Sequence, residues 1–245
     1  MKKKNAQITL MMLVGIFIVM VAALIFYFVS YFENKNSAVP LVFERQSIEN
    51  YINNCVKKTA ENGLKLLGTQ GGFIRLQDYM QTQNVKVSYL YDKESKVPSI
   101  GQIQDELSAY VDSNLDSCFK KFDDFKKQGW DVQQGNIHSK TTVNEKDAAF
   151  EVDFPLKVTD RGHTISFEKF LVLLNVRLKY IHQLASYIVD FNIKNPGSVD
   201  RTELNNYDVN ITVFPYQNSL VYDIEDSKSL IVNKPYRFMF ALKFE

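Results

Sequence analysis

Hydrophobic positions change period several times along the chain, and each change marks an element. Residues 8–32 carry no charged side chain. As a helix this run would be about 37 Å long at ~1.5 Å per residue, more than a hydrocarbon core of about 30 Å requires. It predicts a transmembrane helix, because a core helix of a soluble protein keeps one polar face. Residues 33–40 are polar and end in Pro40, which reads as a linker. Ile52, Cys55, Val56, Thr59, Ala60, Gly63, Leu64 and Leu67 then recur at helical spacing, with Ile48 and Tyr51 opening the stripe and Gly68, Gly71 and Gly72 stopping it. A second helix is predicted over residues 102–127, with Ile103, Leu107, Tyr110, Val111, Leu115, Cys118, Phe119, Phe122 and Phe125 on one face. Residues 85–91 between the helices alternate like a strand, and 92–98 read as a loop.

Beyond Trp130 the period becomes two. Residues 130–143, 148–158 and 163–175 predict three strands joined by turns at Asn144-Glu145-Lys146-Asp147 and Asp160-Arg161-Gly162. Phe150, Val152 and Phe154 alternate with Glu151 and Asp153. Residues 170–174 fit either period, and 176–191 predict a helix ended by Asn195-Pro196-Gly197-Ser198. Residues 207–214, 219–224 and 236–244 predict further strands. The expected fold class is α+β: a transmembrane helix, then an extracytoplasmic domain of helices on antiparallel sheet. A helical part (41–129) and a strand-rich part (130–245) are expected to share one domain.

Charge sets the orientation. Lys2, Lys3 and Lys4 precede the uncharged run, so the N-terminus is expected in the cytoplasm and the domain outside. Phe26, Tyr27, Phe28, Tyr31 and Phe32 crowd the outer end, where aromatic rings meet the headgroup boundary. The whole chain has 29 basic and 28 acidic residues, which excludes nucleic-acid binding by bulk charge. Its 45% hydrophobic content excludes a disordered chain. A cleavable secretory signal has a shorter apolar core and a polar exit, whereas Ala22-Ala23 is followed by more hydrophobic residues.

The stretch Lys4-Asn5-Ala6-Gln7-Ile8-Thr9-Leu10 resembles the start of archaeal pilin-type signal segments: a short basic leader, a small residue, then Gln opening the hydrophobic run. The resemblance implies a cut between Ala6 and Gln7. Shortly after the cut, where that family usually carries Glu, this chain has Met11. The remainder resembles a family of uncharacterised archaeal single-pass proteins, through Tyr51-Ile52-x-x-Cys55, Gly68-x-x-Gly71-Gly72-Phe73-Ile74, Tyr110-Val111-x-x-x-Leu115-x-x-Cys118, residues 150–155 and Pro235-Tyr236-x-Phe238-x-Phe240-Ala241. That resemblance implies the topology and a cysteine pair, and no activity.

Both cysteines lie on the inward faces of the predicted helices. In an oxidising compartment a Cys55–Cys118 disulfide is expected, the alternative being two buried thiols packed as small hydrophobes. Their spacing matches neither a CxxC pair nor a metal site. His138, His163 and His182 are scattered and read as ordinary histidines. The chain has no HExxH, GxSxG, P-loop or GxGxxG motif. Asp123-Asp124, Glu151 with Asp153, and Glu225-Asp226 are paired carboxylates expected on solvated faces. Gly71-Gly72 reads as a helix stop in preference to a ligand cradle, and Asn210-Ile211-Thr212 is a weak sequon inside a strand. Tyr89, Tyr91, Tyr216 and Tyr222 are candidates for a protein- or glycan-binding surface or for core filling. The leading expectation is a membrane-anchored, non-catalytic structural or binding protein without cofactor or metal, held in the lipid bilayer by residues 8–32. A pilin-like filament subunit cleaved before Gln7 and an envelope-acting hydrolase are the alternatives.

Overall fold

The computed structural model describes residues 15–28, 39–82, 85–127, 129–160 and 162–244. The chain divides into two compact units, Met1–Asn50 and Tyr51–Glu245.

In the first unit residues 15–28 form helix α1, whose side chains are all exposed, Phe26 by 76%. Among the described residues no helix is long and apolar enough to cross a membrane. The rest of the uncharged run, the lysine cluster, and Ala6 and Gln7 lie outside the described residues. Helix α2 (Val39–Thr69) begins earlier than expected and takes Pro40 into its first turn, where a missing N–H interrupts no helical bond. Val39 and Pro40 of the expected linker are thus helical, and residues 33–38 lie outside the described residues.

In the second unit α2 ends in a Schellman motif. Gly72 N–H donates to Leu67 O at 2.9 Å and Gly71 N–H to Gly68 O at 3.2 Å, with Gly71 at φ 73°. Strands β1 (Tyr79–Gln81), β2 (Lys86–Asp92) and β3 (Glu94–Ser95) follow. The β3 strand occupies what reads as a loop. Helix α3 (Ile100–Asn114) starts with a capping box between Ser99 and Gln102. The single helix expected to reach residue 127 is instead three pieces: α3, a 3-10 turn over Leu115–Lys121, and α4 (Phe122–Lys127). Tyr51 Oη donates to the Cys118 carbonyl at 2.5 Å, and Cys118 is bonded to Cys55, so this turn is tied to α2. Leu115, Phe119 and Phe122 stay buried, which preserves the helical look of the sequence.

Strands β4 (Asp131–Gln134) and β5 (His138–Val143) lie end to end along β6 (Ala148–Asp160), and β7 (His163–Leu174) takes its other side. The expected single strand over 130–143 is interrupted at Gly135, whose N–H bonds Pro155 O at 2.7 Å. Helix α5 (Leu178–Lys194) and the short α6 (Arg201–Leu204) precede β8 (Asn210–Tyr216), β9 (Ser219–Ile231) and β10 (Lys234–Lys243). These last strands join β1 and β2 in the order β1-β2-β10-β9-β8, with β3 beside β2. The expectation of purely antiparallel sheet fails at one place, because β10 runs parallel to β2.

Phe119 stacks on Phe154 with ring centroids 4.8 Å apart, joining the 3-10 turn to β6. The end of α2 presses on β10: a Cβ at Gly68 would lie 2.3 Å from Arg237 O. Helix α3 also seals the outer edge of β5. The N–H groups of Ser139, Thr141 and Val143 donate to Asp112 Oδ1 (2.7 Å), Ser108 Oγ (2.9 Å) and Gln104 Oε1 (3.0 Å). Four helical residues rise about 6 Å and two strand residues about 6.8 Å, so side chains every fourth position meet N–H groups every second one.

Candidate functional site

An open cleft of about 710 Å³ lies between α3, β2, the β3 segment and the chain leaving α2. Helix α3 presents Gln102, Asp105, Glu106 and Ala109 to it at i, i+3, i+4 and i+7, one helical face. The departing chain is held by Glu106, whose Oε2 accepts from the N–H groups of Ile74 (3.2 Å) and Arg75 (3.1 Å). Gly72 allows the close approach, since a Cβ there would lie 2.8 Å from Pro98 Cγ and φ is 95°. These glycines close the helix end onto β10 and Pro98, as a helix stop requires.

Lys96 Nζ donates to Asp78 Oδ2 at 2.6 Å across the floor, and this bond holds the ammonium above its ordinary pKa. Lys243 Nζ reaches Asp92 Oδ2 at 3.1 Å and lies 5.7 Å from the centroid of Tyr89, a lining residue. The side chains of Arg75, Glu94 and Asp105 have no ion pair or hydrogen bond among the described residues. The cleft thus offers a guanidinium and two carboxylates beside the Tyr89 ring, a surface suited to a polar ligand of mixed charge. Its lining contains no histidine or cysteine.

Apart from Gly72 and Tyr89, none of the candidate residues whose side chains are described lines this cleft, and the side chains of Asp123 and Asp124 lie outside the described residues. Glu151 and Asp153 share one face of β6, half-exposed, and Lys169 Nζ of β7 reaches both, at 2.9 and 3.2 Å. The Glu151 bond, then the Asp153 bond, raises the Lys169 pKa. His138 is exposed, 3.8 Å from Asp112 Oδ2. One ring nitrogen of His182 meets Pro98 O at 2.6 Å and fixes α5 to the segment before α3. His163 opens β7 in solvent. Among the described residues no group of three His, Cys, Asp or Glu side chains could hold a metal ion. Tyr222 is core, stacked on Phe240 at 5.2 Å, whereas Tyr89, Tyr91 and Tyr216 are half-buried. Cys55 and Cys118 form the disulfide, with Cα atoms 5.7 Å apart.

One expectation is overturned: Asp226 is fully buried, not on a solvated face. Strand β9 continues to Ile231 by bulging at residues 227–229, since Tyr236 pairs with Asp226 while its neighbour Pro235 pairs with Leu230. Into this bulge Arg177 donates Nε (3.0 Å) and Nη2 (2.5 Å) to the Asp226 carboxylate, Ser229 Oγ donates at 2.5 Å, and Lys228 N–H at 3.0 Å. Burial pushes the Asp226 carboxyl up, but the hydrogen bonds from Arg177, Ser229 and Lys228 outweigh it and hold the group below the ordinary carboxylate range. Ser229 Oγ also accepts the Arg177 N–H at 2.9 Å, so the start of α5 is locked to β9. An arginine at the strand-to-helix junction, beside no local carboxylate, was the one sequence signal of this network.

No protein-family model matches the chain, and comparisons with curated proteins and with solved structures find no match.

Proposed function

We propose that this chain is a single-pass membrane protein, anchored by residues 8–32 with its N-terminus in the cytoplasm, that displays a non-catalytic binding or structural domain outside the cell membrane. One observation carries the reading: an uncharged run stands behind three lysines, and its described part is helical with every side chain exposed. Exposed Ile16, Phe17, Ile18, Leu24, Ile25 and Phe26 are costly in water and favourable in lipid. The Cys55–Cys118 bond fits an oxidising exterior. The cleft beside Tyr89 is where a polar surface ligand, a peptide or a glycan, would sit. The carboxylates on which a hydrolase reading would turn, Glu151 and Asp153, are tied together by Lys169.

Alkaline carbonate treatment of membranes holding the full chain tests the anchor. Retention in the pellet, with the domain digested by protease added to intact cells, is the expected result. Release into the supernatant overturns it. The Ala6-Gln7 junction favours a second reading, a processed filament-type subunit, and intact mass decides between them: a chain starting at Met1 supports the anchor and one starting at Gln7 the filament.

A further inference from the structure

The sheet edges are treated unequally. Helix α3 takes the outer N–H groups of β5. Strand β8, at one end of the six-stranded sheet, carries Pro215, which has no N–H to offer, and β1 at the other end is three residues long. Strand β7 is 12 residues long and contains no proline, and among the described residues it pairs with β6 alone. Its outward face carries Leu171 and Leu173, 60% and 58% exposed.

The burial pattern of β7 is palindromic. From Thr164 to Leu173 it runs exposed, buried, exposed, buried, exposed, then exposed, buried, exposed, buried, exposed, with its centre between Glu168 and Lys169. We propose that β7 is a self-pairing edge through which two copies of this chain join antiparallel, with the two-fold axis passing between Glu168 and Lys169. Directly opposed residues of an antiparallel ladder share a face. In this register Ile165 opposes Val172 and Phe167 opposes Phe170 on the inner face. Ser166 opposes Leu171 and Thr164 opposes Leu173 on the outer face. Glu168, which has no ion pair among the described residues, opposes Lys169 of the second copy, twice by symmetry. A slip of one residue either way places Glu168 or Lys169 opposite its own copy and sets buried positions against exposed ones. Both the faces and the charges therefore select one register. The inference stands independently of the membrane anchor.

The test uses the full chain in detergent. Sedimentation equilibrium is expected to show a dimer whose population rises with protein concentration. The double variant Ser166→Cys/Leu171→Cys is expected to oxidise to a covalent dimer on a non-reducing gel. Within one strand these positions lie about 17 Å apart at ~3.4 Å per residue, beyond disulfide reach. The control Ser166→Cys/Leu173→Cys, out of register, is expected to stay uncrosslinked. Lys169→Glu is expected to abolish the dimer and Glu168→Lys/Lys169→Glu to restore it. Loss of the bonds to Glu151 and Asp153 within one copy cannot explain that recovery, because the second substitution does not return them. A monomer at every concentration overturns the proposal, as does equal crosslinking of both cysteine pairs or failure of the double charge swap to restore the dimer. An intact Cys55–Cys118 bond, read by mass, certifies that each variant is folded.

Discussion

Replacing Asp226 by alanine removes the acceptor of four hydrogen bonds and leaves the Arg177 guanidinium, itself only 20% exposed, without its main counter-charge. Breaking a buried ion pair from one side costs about 3–5 kcal/mol. Arg177 keeps a hydrogen bond to Asp208 O at 3.0 Å and the Asp208 carboxylate at 3.5 Å, so the lower end of that range, about 3 kcal/mol, applies. For a domain of this size such a loss lowers Tm by about 6–12 °C. Thermal unfolding of the full chain in detergent, followed by far-ultraviolet circular dichroism, measures it. The double variant Arg177→Met/Asp226→Leu should be more stable than either single variant, because it removes both charges together.

The pH dependence has a fixed sign. A carboxylate whose pKa is lower folded than unfolded stabilises fully above its unfolded value, about 4, and loses that contribution as pH falls through the folded value. The Tm gap between the native chain and Asp226→Ala should therefore be constant from about pH 5 to 8 and shrink below about pH 4. A Tm loss under about 2 °C, or a gap that widens on acidification, would refute the argument that a buried, charged Asp226 holds α5 to β9.

Cys118→Ser should destabilise by about 4 kcal/mol in the chain-entropy model, since the bond closes a sequence separation of 63, and reduction of the native chain should reproduce the shift in Tm. Gly68→Ala places a Cβ 2.3 Å from Arg237 O and 2.7 Å from Tyr236 Oη, so α2 must lift from β10; a loss of about 3 kcal/mol is expected in urea unfolding, and an unchanged midpoint would contradict the close approach. Tyr236→Phe should have the opposite effect. Its hydroxyl is buried without a partner among the described residues, and burial raises its pKa, so removing it should stabilise by about 1 kcal/mol, visible as a raised urea midpoint.

The sequence-based reading holds best where a buried face repeats without interruption. The apolar stripe of α2 and the alternation of Phe150, Val152 and Phe154 are found where expected. It fails where a polar run is absorbed by a distant partner. Glu225-Asp226-Ser227-Lys228-Ser229 reads as the end of a strand at residue 224, yet β9 runs on to Ile231 because Arg177, far away in sequence, neutralises and bonds the bulge. The 3-10 turn at Leu115 is illegible for another reason. Leu115, Phe119 and Phe122 keep a helical spacing whichever hydrogen-bond pattern the backbone adopts, and Tyr51 and Cys55 fix that pattern from a different helix. The cleft shares this trait, since its charged groups come from three segments whose meeting no local pattern announces.

The ambiguity of residues 170–174 has a physical origin that bears on the edge of the second sheet. Between Phe167 and Phe170 the buried positions of β7 step by three residues, opposite an irregularity in β6 where Asp153 and Leu156 pair with Lys169 and Phe167. A three-residue step followed by Leu171 and Leu174 mimics the i, i+3, i+4, i+7 stripe of a helix. In the strand, Phe170, Val172 and Leu174 turn inward and Leu171 and Leu173 turn outward. Of the outward leucines, Leu171 is the one that completes this stripe, and burial among the described residues accounts for neither Leu171 nor Leu173. The same step makes β7 palindromic and brings Glu168 and Lys169 side by side on its outer face. Exposed leucines, an edge that no described strand pairs with and a charge pair at the centre of symmetry converge on one strand. Pairing with a second β7 would satisfy the edge backbone and pair these charges across the axis.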